Sequence, residues 1–392
     1  MLKVIDISAL QPGMYVTQVT QQQGEYRVAS TGRVQTQTQI NDLKKKGILQ
    51  LEIDLSRSLL GDAEPHSTEP EPLDTPNHAG LSYRQQLEHS LKLYEQAKTV
   101  HGQLMNRIAK GKVANLEEVN QISQQLVDKI FECEDAIGIV TMLNENDQYF
   151  MEHSINCAIL IILFSRFVGL PDETTVQLGA GALLMDIGMV KLPLLITEKP
   201  ESFNQADCDK MHKHVDTALD MVAKVEQVSE VSKEVIALHH ERLDGSGYPQ
   251  GLTEHNISQH GRMVAIVDVY DALTTSRPHR NAYSPAEALR FMSEELSGLD
   301  QTLLGQFIMC IGANPVGSVV KLASNKLAVV MRLNKNNPLN PVVMAFFDLT
   351  SKAPIVKQID LAKHDDAIVG TVDYDESGLN LAQFLRQNLL SR

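Results

Sequence analysis

From Leu81 to about Leu304 the chain is a succession of helix-length segments punctuated by Pro and Gly, and beyond Leu304 it turns into short strand-like runs. That change of texture constrains the fold more than any other feature. YRQQLEHSLKLYEQAKTVHGQLMNRIAKG has the spacing of a Gln/Glu-rich helix, and HSINCAILIILFSRF that of an apolar one. GSVVKLA, LAVVMRL and PVVMAFFDL predict strands, and GLNLAQFLRQNLLSR returns to helical spacing. Near the start, MYVTQV predicts a strand, and TQTQINDLKKKGILQLEID a helix, a stop at Gly47 and a strand. GDAEPHSTEPEPLDTPNHAG is rich in proline and acid and poor in apolar residues, as linkers and disordered segments are. The expected class is therefore mainly α, in five parts: a small α/β domain over 1–60, a linker over 61–80, a helical lead-in over 81–135, a helical domain over 136–304 and a β-rich extension over 305–392. No internal repeat is present.

Charge and cysteine usage narrow the function. A net charge of −14 argues against broad binding to nucleic-acid polymers or anionic membranes, though a few local cations can still hold a small anionic ligand. The chain has no Trp, so stacking platforms for single strands are not suggested. Cys133, Cys157, Cys208 and Cys310 are scattered, with no CxxC pair. This speaks against a disulfide framework or a zinc–thiolate site and fits a reducing cytoplasm. MLKVIDISALQPGMYV lacks the apolar core of a signal peptide, and the run CAILIILF is too short to span a bilayer.

Eight of the 13 histidines lie between His153 and His279. His153 opens the apolar helix, His214 sits in MHKHVDTALDMV, and His239 and His240 are adjacent in VIALHHERLDGSGYPQGL. Adjacent histidines on a helix point about 100° apart, so the pair can serve or flank one metal pair. Asp186 follows GAGALLM and Asp268 follows MVAIV. An acid at the edge of an apolar run wants a cation or donors. Asp186, in LLMDIGMVKLP, reads either as a helix-end carboxylate or as part of such a site. Imidazole and carboxylate without thiolate suit Fe, Mn or Zn. Each of these residues alone is as well explained by ordinary core or surface packing.

Taken together they resemble a known family. HHERLDGSGYP (His239 to Pro249) is similar to the signature of HD-GYP proteins, bacterial phosphodiesterases of cyclic dinucleotides. The order of His153, the DIG at Asp186, His214, HHE and DVYDALTTSRPHR supports the resemblance, which covers about Ala136 to Leu304. The first 60 residues resemble a small domain of unknown function often found ahead of it. The resemblance implies an HD-type helical bundle with a centre of two or three ions, often iron or manganese. It implies His153, Asp186, His214, His239, His240 and Asp268 as ligands, with Asp186 bridging. It also implies Gly247, Tyr248 and Pro249 as the loop at the substrate, and Arg277 and Arg280 near its phosphates, where guanidinium groups pair with phosphate oxygens.

The chain departs from the family at three places. The family's His-Asp followed by Ile-Gly-Lys here reads Met185-Asp186-Ile187-Gly188-Met189. Lys191 is two residues further on and is expected on another face. Tyr149 stands where three-metal members carry Glu. Met185 and Met189, four apart, are expected to share a helix face and fill apolar space. A thioether is a poor ligand for Mn or Fe(II), so one ion or none is expected. The position with His153, Asp186 and Asp268 is the weakened one. The expectation is a cyclic-dinucleotide signalling protein with impaired hydrolysis, Asp186 and Asp268 being what remains of the catalytic set. An active phosphodiesterase and a protein-interaction scaffold are the alternatives. The helical lead-in is compatible with a homodimer or a partner protein.

Overall fold

The computed structural model describes residues 2–11, 14–22, 32–34, 40, 43–45, 47–54, 82–110, 117–143, 149–193, 204–223, 228–275, 282–334, 337, 339–372 and 381–390. The Pro-rich linker and the arginines at 277 and 280 fall outside them. The chain forms two units, Met1–Glu69 and Pro70–Arg392.

In the first unit, β1 (Leu2–Asp6), β2 (Tyr15–Gln22), β3 (Gly32–Arg33) and β4 (Ile48–Asp54) form an antiparallel sheet of order β1-β4-β2-β3. Ile48, Leu51 and Ile53 of β4 pack with Val16, Val34 and Ile40. Ile40 and residues 43–45 are helical, and Gly47 ends that segment with φ +77°. A positive φ there is cheap only for glycine.

The second unit is helical, and most of its helices start where the sequence offers a cap. The helices are α1 (Tyr83–Ala109), α2 (Glu117–Leu143), α3 (Tyr149–Phe167), α4 (Asp172–Leu184), α5 (Gln205–Val222), α6 (Glu230–Leu238), α7 (Gln259–Thr274), α8 (Pro285–Glu294) and α9 (Gln301–Ile311). Reciprocal capping boxes open α1 (Ser82 with Gln85), α5 (Asn204 with Asp207) and α8 (Ser284 with Glu287). Each satisfies two N–H groups that the helix leaves free. α3 is apolar almost all round, as a central helix must be. Cys157, Ala158, Ile161, Ile162 and Phe164 are fully buried, and α3 packs on α4 and α7. No helix among the described residues is long and apolar enough to cross a membrane.

After α9 come β5 (Val319–Leu322), β6 (Lys326–Arg332), β7 (Val342–Asp348), β8 (Ala353–Asp360) and β9 (Ile368–Thr371), then α10 (Leu381–Leu389). They form an antiparallel sheet of order β8-β7-β6-β5-β9. Its strands alternate faces, as a period of two requires. Leu327, Val329 and Met331 join the helical core, while Ala328 and Val330 join a separate cluster with Val343 and Ile359. The Tyr83 hydroxyl donates to the Met331 carbonyl at 3.3 Å, tying the start of α1 to β6.

Candidate metal centre

Three helices and two helix ends bring the predicted residues together. His153 lies in the second turn of α3, which begins at Tyr149 rather than at the histidine. Asp186 follows the end of α4, His214 is on α5, His239 and His240 follow the last residue of α6, and Asp268 is on α7. His214 and His239 are fully buried, and His153, Asp186 and Asp268 nearly so. Asp186 stands at the N-cap of a 3₁₀ turn (Ile187–Lys191), yet its side chain caps no N–H there. Its two oxygens face different rings: Oδ1 is 3.4 Å from His214 Nε2 and Oδ2 is 3.8 Å from His153 Nε2. His153 Nε2 is also 3.1 Å from Asp268 Oδ1, and His240 Nδ1 is 3.2 Å from Asp268 Oδ2. One ligand atom each from Asp186, His214, His239 and His240 all lie within 4.8 Å of one another.

The hydrogen bonds decide which nitrogen of each ring is free. His214 Nδ1 lies 2.7 Å from the Met211 carbonyl and His239 Nδ1 lies 2.9 Å from the Ile236 carbonyl. A carbonyl accepts only, so both rings carry their proton on Nδ1. Their Nε2 lone pairs then face each other across 3.3 Å, with Asp186 beside them. Burial holds the His214 ring below the ordinary imidazole value, and burial with the neighbouring His240 holds His239 well below it, so a second proton is disfavoured. Two lone pairs and a carboxylate converging in a buried space call for a cation. The donor set, imidazole nitrogen and carboxylate oxygen, fits a divalent transition metal. Asp268 is buried, which raises a carboxyl pKa, but His240 and His153 outweigh burial and keep it well below the usual carboxylate range.

The surrounding partners include residues the motif reading did not use. Asp271 Oδ2 accepts from His153 Nδ1 at 2.7 Å and so aims Nε2 inward. Its spacing of three from Asp268 on a helix was the available signal. Glu241, buried, accepts from the N–H groups of Gln250 at 2.7 Å and Leu252 at 2.9 Å, pinning the loop that carries Gly247, Tyr248 and Pro249. A side chain at Gly247 would put its Cβ 2.4 Å from the Arg242 nitrogen, so only glycine fits that approach. The Tyr248–Pro249 bond is cis. The Tyr248 ring stacks on His212, centroids 3.7 Å apart, and lies 4.5 Å from His240. Its phenol pKa is raised by burial first and by Asp268 second.

A model of the HD domain matches residues 139–303, and a model of a domain of unknown function, DUF3391, matches residues 2–119. Cyclic di-GMP phosphodiesterase PA4108 of Pseudomonas aeruginosa is 29% identical over 380 residues, which cover 94% of this chain and 92% of that protein. Residues 139–303 carry an HD domain with strong homology to HD-GYP cyclic di-GMP and cGAMP phosphodiesterases. A second relative, cyclic di-GMP phosphodiesterase PdeB of Borreliella burgdorferi, is 28% identical over 199 residues, 50% of this chain and 52% of its own length. Among solved structures, Bd1817, a HDG"Y"P protein from Bdellovibrio bacteriovorus, aligns with a TM-score of 0.48 at 17% identity, covering 78% of this chain and 98% of that one. The HD domain is metal-dependent as a family, and the described residues include candidate metal-binding clusters.

Two local expectations are corrected, and a third gains a partner. Met185 and Met189 share no helix face: α4 ends at Leu184, Met185 is its fully buried C-cap, and Met189 lies half-buried in the 3₁₀ turn. His239 and His240 are not within α6 but follow it, with ring centroids 4.0 Å apart, because α6 stops at Leu238. Lys191 does more than face away: its Nζ donates to the Ile108 carbonyl at 3.2 Å.

Proposed function

We propose that this chain is a second-messenger signalling protein that binds a cyclic dinucleotide at a metal centre and hydrolyses it poorly. The observation that carries the reading is Met185, a fully buried thioether at the place of the family's HD histidine, with Met189 in place of its lysine. In this reading Asp186, His214, His239 and His240 hold one ion tightly, and Asp186 also contributes to a weaker position with His153 and Asp268. Iron or manganese suits these donors. A bound ion would polarise a phosphate oxygen and lower the pKa of its water. Asp186 and Asp268 are the remaining catalytic carboxylates, and Tyr248, with Gly247 and Pro249, borders the ligand. Arg277 and Arg280 are assigned to its phosphates. The cyclic dinucleotide class is supported by the relatives, named as cyclic di-GMP phosphodiesterases. The scattered cysteines fit action in the reducing cytoplasm.

Full hydrolytic activity is the second reading, favoured by the complete donor set around His214 and His239. Elemental analysis of purified protein, with cyclic di-GMP binding by calorimetry and turnover in Mn²⁺, separates the two. One retained ion, measurable binding and slow turnover support the first. Two firmly retained ions with rapid turnover support the second. Absence of nucleotide binding leaves the scaffold role.

A further inference from the structure

His101 is a histidine where the packing pattern asks for an apolar residue. On α1, Tyr94, Ala97, His101, Leu104 and Ile108 are buried on one face. That face is fastened to the candidate metal centre along its length. The Tyr94 hydroxyl donates to Asn156 Oδ1 at 3.0 Å, and Lys98 pairs with Glu152 at 3.5 Å, both partners being on α3 beside His153. Ile108 accepts from Lys191, in the turn that follows Asp186. His101 sits between these ties and is 3% exposed, yet neither ring nitrogen closes a hydrogen bond among the described residues. The polar groups acting on it are the Leu183 carbonyl and the Asp186 carboxylate. A neutral imidazole held there keeps a ring nitrogen lone pair for a ligand. A buried imidazole left without a partner is costly, and a bound ion is one explanation for keeping it.

We infer that His101 is a ligand of the weaker ion position beside His153, Asp186 and Asp268, supplying from α1 the imidazole that Met185 lacks. α1 lies within the match to the domain of unknown function, residues 2–119, although it packs in the same unit as the metal centre. One metal ligand is then contributed by a segment outside the HD domain match, and occupancy of the weaker position depends on how α1 is seated. This inference rests on the metal reading above.

The test is Mn²⁺ binding to metal-stripped full-length protein, followed by electron paramagnetic resonance and calorimetry. The wild type is expected to bind one ion tightly and a second more weakly. In His101→Leu the weaker site should lose more than the roughly 100-fold that removal of an outer partner costs, while the tight site is unchanged. Adding Met185→His to that variant should restore the weaker site. His101→Gln repeats the test with a polar side chain should the leucine variant not fold. A weaker site unaffected by both substitutions at His101, or not restored by Met185→His, overturns the inference and leaves the tight site standing. A wild type that binds no Mn²⁺ overturns the metal reading itself, and the inference with it.

Discussion

Gly188 lies directly against the backbone of His214: an added Cβ would stand 2.0 Å from the His214 carbonyl oxygen and 3.0 Å from the Ala218 nitrogen. This approach lets the turn after α4 carry Asp186 to within 3.4 Å of the His214 ring. Gly188→Ala must push the turn off α5. Overpacking of this kind costs about 1–3 kcal/mol, occasionally more. A lowered Tm together with loss of the tightly bound Mn²⁺ is expected, and retention of both would show that the contact does not set the site.

Glu241 organises the loop rather than the ion. Both of its oxygens accept backbone N–H groups, and hydrogen bonds to a buried charged group are worth about 1.5–3 kcal/mol each. Glu241→Ala should lower stability by several kcal/mol in denaturant titration. Binding of cyclic di-GMP should weaken with it, because Tyr248 loses its support. Glu241→Gln, which keeps an acceptor oxygen, should fall between the two.

Acid should destabilise the metal-free protein through its buried histidines. His101 has its pKa lowered from 6.5 to about 4 by burial, so between those pH values the unfolded chain holds a proton that the folded chain does not. Stability therefore rises with pH across that window and falls as pH drops from 6.5 towards 4. At 1.36 kcal/mol per pH unit the contribution is roughly 3 kcal/mol. His214 and His239, also lowered by burial, act in the same direction. Chelator-treated His101→Leu should show a shallower loss of stability over pH 6.5 to 4 than the wild type, measured by urea midpoint. An unchanged pH slope contradicts the assignment.

Cys157 lies one turn beyond His153, with its sulfur 3.8 and 3.9 Å from the two ring nitrogens. Burial raises its pKa to about 12, so almost no thiolate forms at pH 8. Iodoacetamide should leave Cys157 unmodified in the folded protein and reach it only on unfolding, as read by mass spectrometry. Cys208 and Cys310, each partly exposed, should react first.

Much of this candidate site was legible through the family resemblance, because the residues that carry it are local in sequence. HHERLDGSGYP places two histidines, the buried Glu241 and the loop within one short string, and apolar runs before Asp186 and Asp268 mark them as inward-facing acids. The helical centre and the change to strands after Leu304 also followed from periodicity. Other features depend on folding back. Asp271 matters because α7 lies across α3, and His101 because α1 packs along the same helix; neither partner is near in sequence. The bend after Leu184 escaped notice because Met185 and Met189 have a spacing that a straight helix would also give. The close contact of Gly188 with α5, which imposes the bend, exists only in three dimensions. β8 and β9 lie outside the strand-like runs read from the sequence, and they pair with β7 and β5.

The central claim is that two side-chain losses, at Met185 and Met189, weaken hydrolysis in an otherwise assembled centre. The most direct measurement is turnover of cyclic di-GMP in Mn²⁺ by the wild type and by Met185→His combined with Met189→Lys. One restored electrostatic contact in a transition state is worth about 2.7–4 kcal/mol, so the double variant should turn over at least about 100-fold faster than a slow wild type. A wild type that is already fast, or a correctly folded double variant with two bound ions and no gain, would contradict the account.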